Sequence, residues 1–117
     1  MKTNHSRPAG FTLVEIMIVV AIIAMLAGIA IPLFLKSRTN SQRSACMTNL
    51  KQMDGAKANW AMELKKGNTD SPDDTDLFGT SLYIRQKPSC PASGVYTVDT
   101  VGNKPTCTFG TSDGHTL

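Results

Sequence analysis

Little in this chain is equipped for chemistry. Its 117 residues hold two histidines, three cysteines and one tryptophan, and aromatic side chains make up 6%. No Ser-His-Asp or Cys-His constellation is visible, and there is no phosphate loop or nucleotide fingerprint, so an enzyme is not expected. Cys46, Cys90 and Cys107 form no CxxC pair, and neither His5 nor His115 stands at zinc spacing from them. On spacing alone no metal site is expected. The net charge of +3 is too weak to argue for nucleic acid. No internal period points to a repeat array, and the length fits at most one small domain.

Charge is scarcest between Phe11 and Leu35, where 25 residues carry one ionisable side chain, Glu15. As a helix this run is roughly 37 Å long, enough to cross a hydrocarbon core of about 30 Å. Burying so long an apolar helix inside a soluble protein would need more chain around it. The run also exceeds the apolar region of a secretory signal peptide, although Ala27, Gly28 and Ala30 imitate a cleavage site. Membrane insertion is the expectation. Lys2 and Arg7 before the run favour a cytoplasmic N-terminus, while Lys36, Arg38 and Arg43 after it argue the other way.

Two details set the run apart from a plain anchor. A carboxylate inside an apolar span costs roughly 2.5–3.5 kcal/mol, so Glu15 needs either water at the interface or a cation in an assembly. At Ala9-Gly10-Phe11 a basic, polar leader meets the apolar run abruptly.

Gly10-Phe11-Thr12-Leu13-Val14-Glu15, with its short basic leader and following apolar run, resembles the processing motif of type IV pilins and type II secretion pseudopilins. Ala21-Ile22-Ile23, Leu26-Ala27 and Ile29-Ala30-Ile31-Pro32 extend the likeness, which covers about residues 7–36. Ala24 stands where many members carry Gly. The resemblance implies that a prepilin peptidase cleaves between Gly10 and Phe11 and methylates the new Phe11 amine. It implies a single-pass bacterial inner-membrane subunit with a cytoplasmic N-terminus and a periplasmic head. An inner-membrane assembly platform would then draw the subunit from lipid into a helical filament, with self and minor pseudopilins as partners. In such a filament Glu15 would neutralise the Phe11 amine of a neighbour. Two opposite charges in a low-dielectric bundle compensate each other's desolvation only when closely paired, which selects register as well as attraction.

The rest of the chain reads as spine and head. Gly28 and Pro32 are four apart, and Pro32 removes the helical partner of the Gly28 carbonyl, so a kink or local melting is expected there. In residues 36–66, Cys46, Leu50, Met53, Trp60, Ala61 and Leu64 fall on one helical stripe. Lys57 falls within it, expected to reach the edge along its stem. Lys65 and Lys66 are expected in the last turn, with Gly67 as the stop. Basic side chains along the flanks lack the aromatic interleaving of a nucleic-acid surface.

Ser71-Pro72-Asp73-Asp74 reads as a helix start with Ser71 as cap. Asp70, Asp73, Asp74 and Asp76 also invite a calcium reading, but without the EF-hand pattern capping is preferred. Residues 94–109 read as a β-hairpin turning at Val101-Gly102-Asn103-Lys104.

Outside the cytoplasm a disulfide is allowed. Cys90–Cys107 is the preferred pair, closing a loop of about 16 residues worth roughly 3 kcal/mol, with Cys46 then a buried thiol. Pairing Cys46 with either of the others stays open.

The expected fold is α+β: a leader (1–10), a transmembrane and assembly helix (11–35), an amphipathic spine (36–66) and a small head (67–117). The 107 residues from Phe11 onward are few for a surface pilin. The expectation therefore leans to a major pseudopilin of a type II secretion system. A type IV pilin of a surface fibre, or a single-pass protein that never polymerises, are the alternatives.

Overall fold

A computed structural model describes residues 1–2 and 7–117. Its elements are α1 (Leu13–Glu63), α2 (Asp74–Leu77), β1 (Tyr96–Thr97), β2 (Thr106–Cys107) and α3 (Gly110–Asp113). The chain forms two compact units, Met1–Ser37 and Arg38–Leu117. This is the α+β arrangement expected, with the short helix α3 as an addition that the sequence had not suggested.

In the first unit α1 is apolar all round. Its most apolar stretch has a mean hydropathy of 2.9, and none of it is buried by the described residues. Side chains from Phe11 to Leu35 stand largely exposed. Apolar surface on this scale is stable only against lipid or other protein. Gly28 and Pro32 both lie inside the continuous helix.

In the second unit α1 buries one stripe, Cys46, Leu50, Met53, Ala56, Lys57, Trp60 and Ala61. Against it pack Leu77, Cys90, Tyr96, Val98 and Cys107. The hairpin is short and antiparallel, with Tyr96 opposite Cys107 and Thr97 opposite Thr106. Alternation places Tyr96 and Cys107 inward and Thr97 and Thr106 outward. Phe78 and Ile84 add a single parallel bridge.

Four details correct the expected pattern. Leu64 is not in the stripe but lies beyond α1 and is exposed. The helix is closed off just past Glu63 by Lys65, whose φ is +52°, and the Lys66 N–H donates to the Ala61 carbonyl at 2.9 Å. That is a six-to-one closing bond with lysine in the left-handed position usually held by glycine. Gly67 instead donates its N–H to Asp70 Oδ2 at 2.8 Å. Lys66 lies beyond the last turn, its Nζ 5.5 Å from the Trp60 ring centroid. Third, α2 is capped by Asp73 rather than Ser71, and its Asp76 Oδ2 accepts the Asp73 N–H at 2.9 Å. The Ser71 hydroxyl turns to the Asp99 carbonyl at 3.4 Å.

The fourth correction is Lys57, which does not reach the edge: it is 1% exposed. Its ammonium donates to the carbonyls of Val98 at 3.0 Å, Thr100 at 2.9 Å and Asn103. Three donors meet three acceptors, so a charged group is fully bonded inside the head. Burial pushes its pKa below the usual lysine range, and Asp54 and Asp99 partly oppose that. The loop it gathers is tied back further on, where Val101 and Gly102 donate their N–H groups to the carbonyls of Asp70 and Asn68.

Replacing Lys57 with Met keeps the stem but leaves three carbonyls without their donor. We expect a loss of about 2–4 kcal/mol, read by denaturant unfolding of the full chain in detergent, followed by Trp60 fluorescence. Lys65→Gly removes a side chain from the left-handed region and should stabilise the head by about 1 kcal/mol in the same assay.

Candidate functional site

The N-terminus of α1 is built by Thr12 and Glu15. Thr12 Oγ1 accepts the Glu15 N–H at 3.2 Å, and Glu15 Oε2 accepts the Thr12 N–H at 3.4 Å. This is a reciprocal capping box, the S/T-x-x-E pattern at a helix start. Reading Glu15 only as a charge in an apolar run misses it, although Thr12-Leu13-Val14-Glu15 spells the motif. The carboxylate is thereby held in the first turn of the helix, bonded back to the backbone of Thr12, which follows Gly10 and Phe11. Both residues of the expected cleavage junction are exposed, and open space surrounds the Gly10 Cα.

A second cluster lies in the head. Cys46 comes from α1, Cys90 from the loop before the hairpin, Cys107 from β2 and His115 from the segment after α3. One ligand-capable atom of each lies within 4.8 Å of the other three, and all four side chains are buried. The Cys90 Sγ is 3.8 Å from His115 Nδ1. The three cysteines are thiols, and the Cys90–Cys107 bridge is not formed. Spacing along the chain put neither histidine at zinc distance from the cysteines; the fold brings His115 to all three from four separate elements. His5 and the leader stretch 3–6 lie outside the described residues.

Local structure explains the gathering. Cys90-Pro91-Ala92-Ser93 makes a turn, with Ser93 N–H donating to the Cys90 carbonyl at 2.9 Å and Ser93 at φ +65°. The N–H groups of Ala92 and Gly94 are turned towards the Cys90 sulfur. Burial opposes the Cys90 thiolate, but those two N–H groups, His115 and Cys107 outweigh it and bring the pKa down to about 7. Cys46 lies deeper, and burial dominates there, pushing its thiol up to about 12 against the hydrogen bond from Tyr96. The loop is pinned to α1 by Gln42 Nε2 on the Pro91 carbonyl at 3.3 Å and Asn49 Nδ2 on the Ser89 carbonyl at 3.2 Å.

Two glycines are required by this packing. A Cβ on Gly94 would come to 2.6 Å from the Cys107 sulfur. Gly114 sits at φ +69°, and a Cβ there would meet the Arg43 guanidinium at 2.9 Å. Arg43 Nε donates to the Gly114 carbonyl at 2.9 Å, which fixes the backbone just before His115.

The aspartates suggested for calcium are used locally. Asp70 and Asp76 accept backbone N–H groups, and Asp74 pairs with Lys87 at 2.5 Å. Asp73 and Asp74 edge a surface depression of about 550 Å³.

A capped, membrane-length helix behind a Gly-Phe junction is the arrangement found in prepilins. The prokaryotic N-terminal methylation motif matches residues 5–31. The type IV major pilin protein PilA of Myxococcus xanthus (strain DK1622) is 55% identical over 49 residues, which cover 42% of this chain and 22% of that protein. A fimbrial protein of Dichelobacter nodosus is 38% identical over 97 residues, 83% of this chain and 46% of that protein. No solved structure matches. These matches make the chain similar to type IV pilins, with the methylation motif confined to its N-terminal segment. It spans less than half the length of either relative.

Proposed function

We propose that the chain is a structural subunit of a type IV pilus-like filament, held in the membrane by α1 until assembly. The observation that carries this reading is the conjunction at residues 10–35: a Gly-Phe junction, a capped helix start with Glu15, and an apolar helical surface that the described residues leave uncovered. In the filament that surface packs against copies of itself. Cleavage after Gly10 by a prepilin peptidase frees an amine at Phe11, four residues before the Glu15 carboxylate. An adjacent subunit offset along the axis can bring its own Phe11 amine to that carboxylate. Gly28 and Pro32 give the helix a place to yield as subunits are drawn from lipid into the fibre.

The names of the two relatives support a surface-fibre pilin. The second reading, a type II secretion pseudopilin, is supported by the small head, whose sheet is one pair of two-residue strands. The two separate by where filaments stand when the protein is overproduced: on the cell surface with the pilus machine alone, or only with a secretion machine present.

Gly10→Lys should leave an uncleaved precursor that retains the leader, visible as a larger band and by N-terminal mass. A product of normal size would refute processing at this junction. Glu15→Ala should leave membrane insertion intact and reduce sheared filaments by at least about tenfold, since it leaves an unpaired amine in the bundle. Undiminished filaments would sink the amine–carboxylate pairing.

A further inference from the structure

We propose that Cys46, Cys90, Cys107 and His115 form a structural zinc site that ties the head to the spine. The donor set comes first. Three thiolates and one imidazole are a full complement for tetrahedral Zn²⁺, and soft sulfur disfavours the calcium considered for the aspartates. The dimensions follow. Zinc–sulfur bonds of about 2.3 Å and a zinc–nitrogen bond of about 2.0 Å set tetrahedral edges of about 3.5–3.8 Å. The Cys90–His115 separation is 3.8 Å, and the whole set fits within 4.8 Å. The four residues are 0%, 5%, 7% and 1% exposed, so an ion there would be closed off from solvent, as in structural and not catalytic sites.

The surroundings are built for bound sulfur. Ala92 and Gly94 direct N–H groups at Cys90 from a tight turn. Asn49 Nδ2 donates to the Tyr96 hydroxyl oxygen at 3.1 Å, which leaves the O–H to bond the Cys46 sulfur. Outer partners of this kind orient ligands and tune the metal. Gly94 leaves space for the Cys107 sulfur and Gly114 lets the chain turn into His115, so two backbone constraints converge on one centre. A disulfide makes poorer use of the same residues. It draws two sulfurs to about 2.05 Å and leaves a third thiol and an imidazole buried beside it. A head with four residues of strand is the kind of scaffold that needs a staple, and one ion would join α1, the Cys90 loop, β2 and the last segment at once.

The test uses the full chain, purified in detergent under reducing conditions without chelator, with metal measured by mass spectrometry of the elements. One zinc per chain is expected. Cobalt(II) offered to chain stripped of metal should give the thiolate-to-cobalt charge-transfer band and the visible bands of a tetrahedral site. Cys46→Ser, Cys90→Ser, Cys107→Ser and His115→Ala should each cut bound zinc at least about tenfold. His115→Cys restores a four-ligand set and should retain zinc, which distinguishes ligation from a packing role for the imidazole. Metal-free chain with three titratable thiols would overturn the proposal. So would a Cys–Cys bridge found by peptide mass in protein taken directly from cells, or zinc that persists in the serine variants. The readout is made on the subunit and does not depend on filament formation.

Discussion

The head hangs on a single face of α1, and at the middle of that face sits a charge. The Lys57 ammonium lies where an aliphatic residue would serve a simple core, yet it gathers three carbonyls of the 98–103 loop. The hairpin offers too little strand to organise that loop through its own ladder. Without regular backbone pairing, the carbonyls need donors from elsewhere, because buried polar groups left unbonded are costly. A lysine with three donors supplies them from one side chain. The ammonium's own desolvation is the penalty, and it is tolerable only while all three acceptors stay in place. The loop and the lysine therefore fix each other.

At the other end of α1 a second charge is under two demands. As capped, Glu15 satisfies an orphan N–H at the helix start. In the proposed filament the same carboxylate meets a neighbour's amine. A carboxylate has two oxygens and several lone pairs, so both partners can be accommodated. The cap already restricts the Glu15 side chain in the single subunit, so less conformational entropy would be lost if it paired on assembly.

Much of this was legible in the sequence. The apolar run, its lone acid, the helical stripe from Cys46 to Ala61 and the hairpin at Tyr96 all follow from period and composition. What failed had physical causes. Helical projection assigns Lys57 a place on the stripe but cannot see that a distant loop brings three carbonyls to it. Gly67 is the better left-handed residue by propensity, yet the chain turns at Lys65, two residues earlier. The four-residue cluster escaped because ligand spacing motifs describe local knuckles, whereas these donors come from four elements. The one available sign was a count: from Phe11 onward there are three cysteines and a single histidine.

Among the four clustered side chains, His115 comes last in the chain, and Arg43 and Gly114 hold it in place. Its partner Cys46 lies on a helix made long before it. The contact between them spans most of the head, so it cannot close until every intervening element has been synthesised. Until then the thiols of Cys46, Cys90 and Cys107 are not yet shielded by the segment that covers them. The last turn of backbone to arrive thus acts as a latch, and the time before it closes is when the head is most open to oxidation.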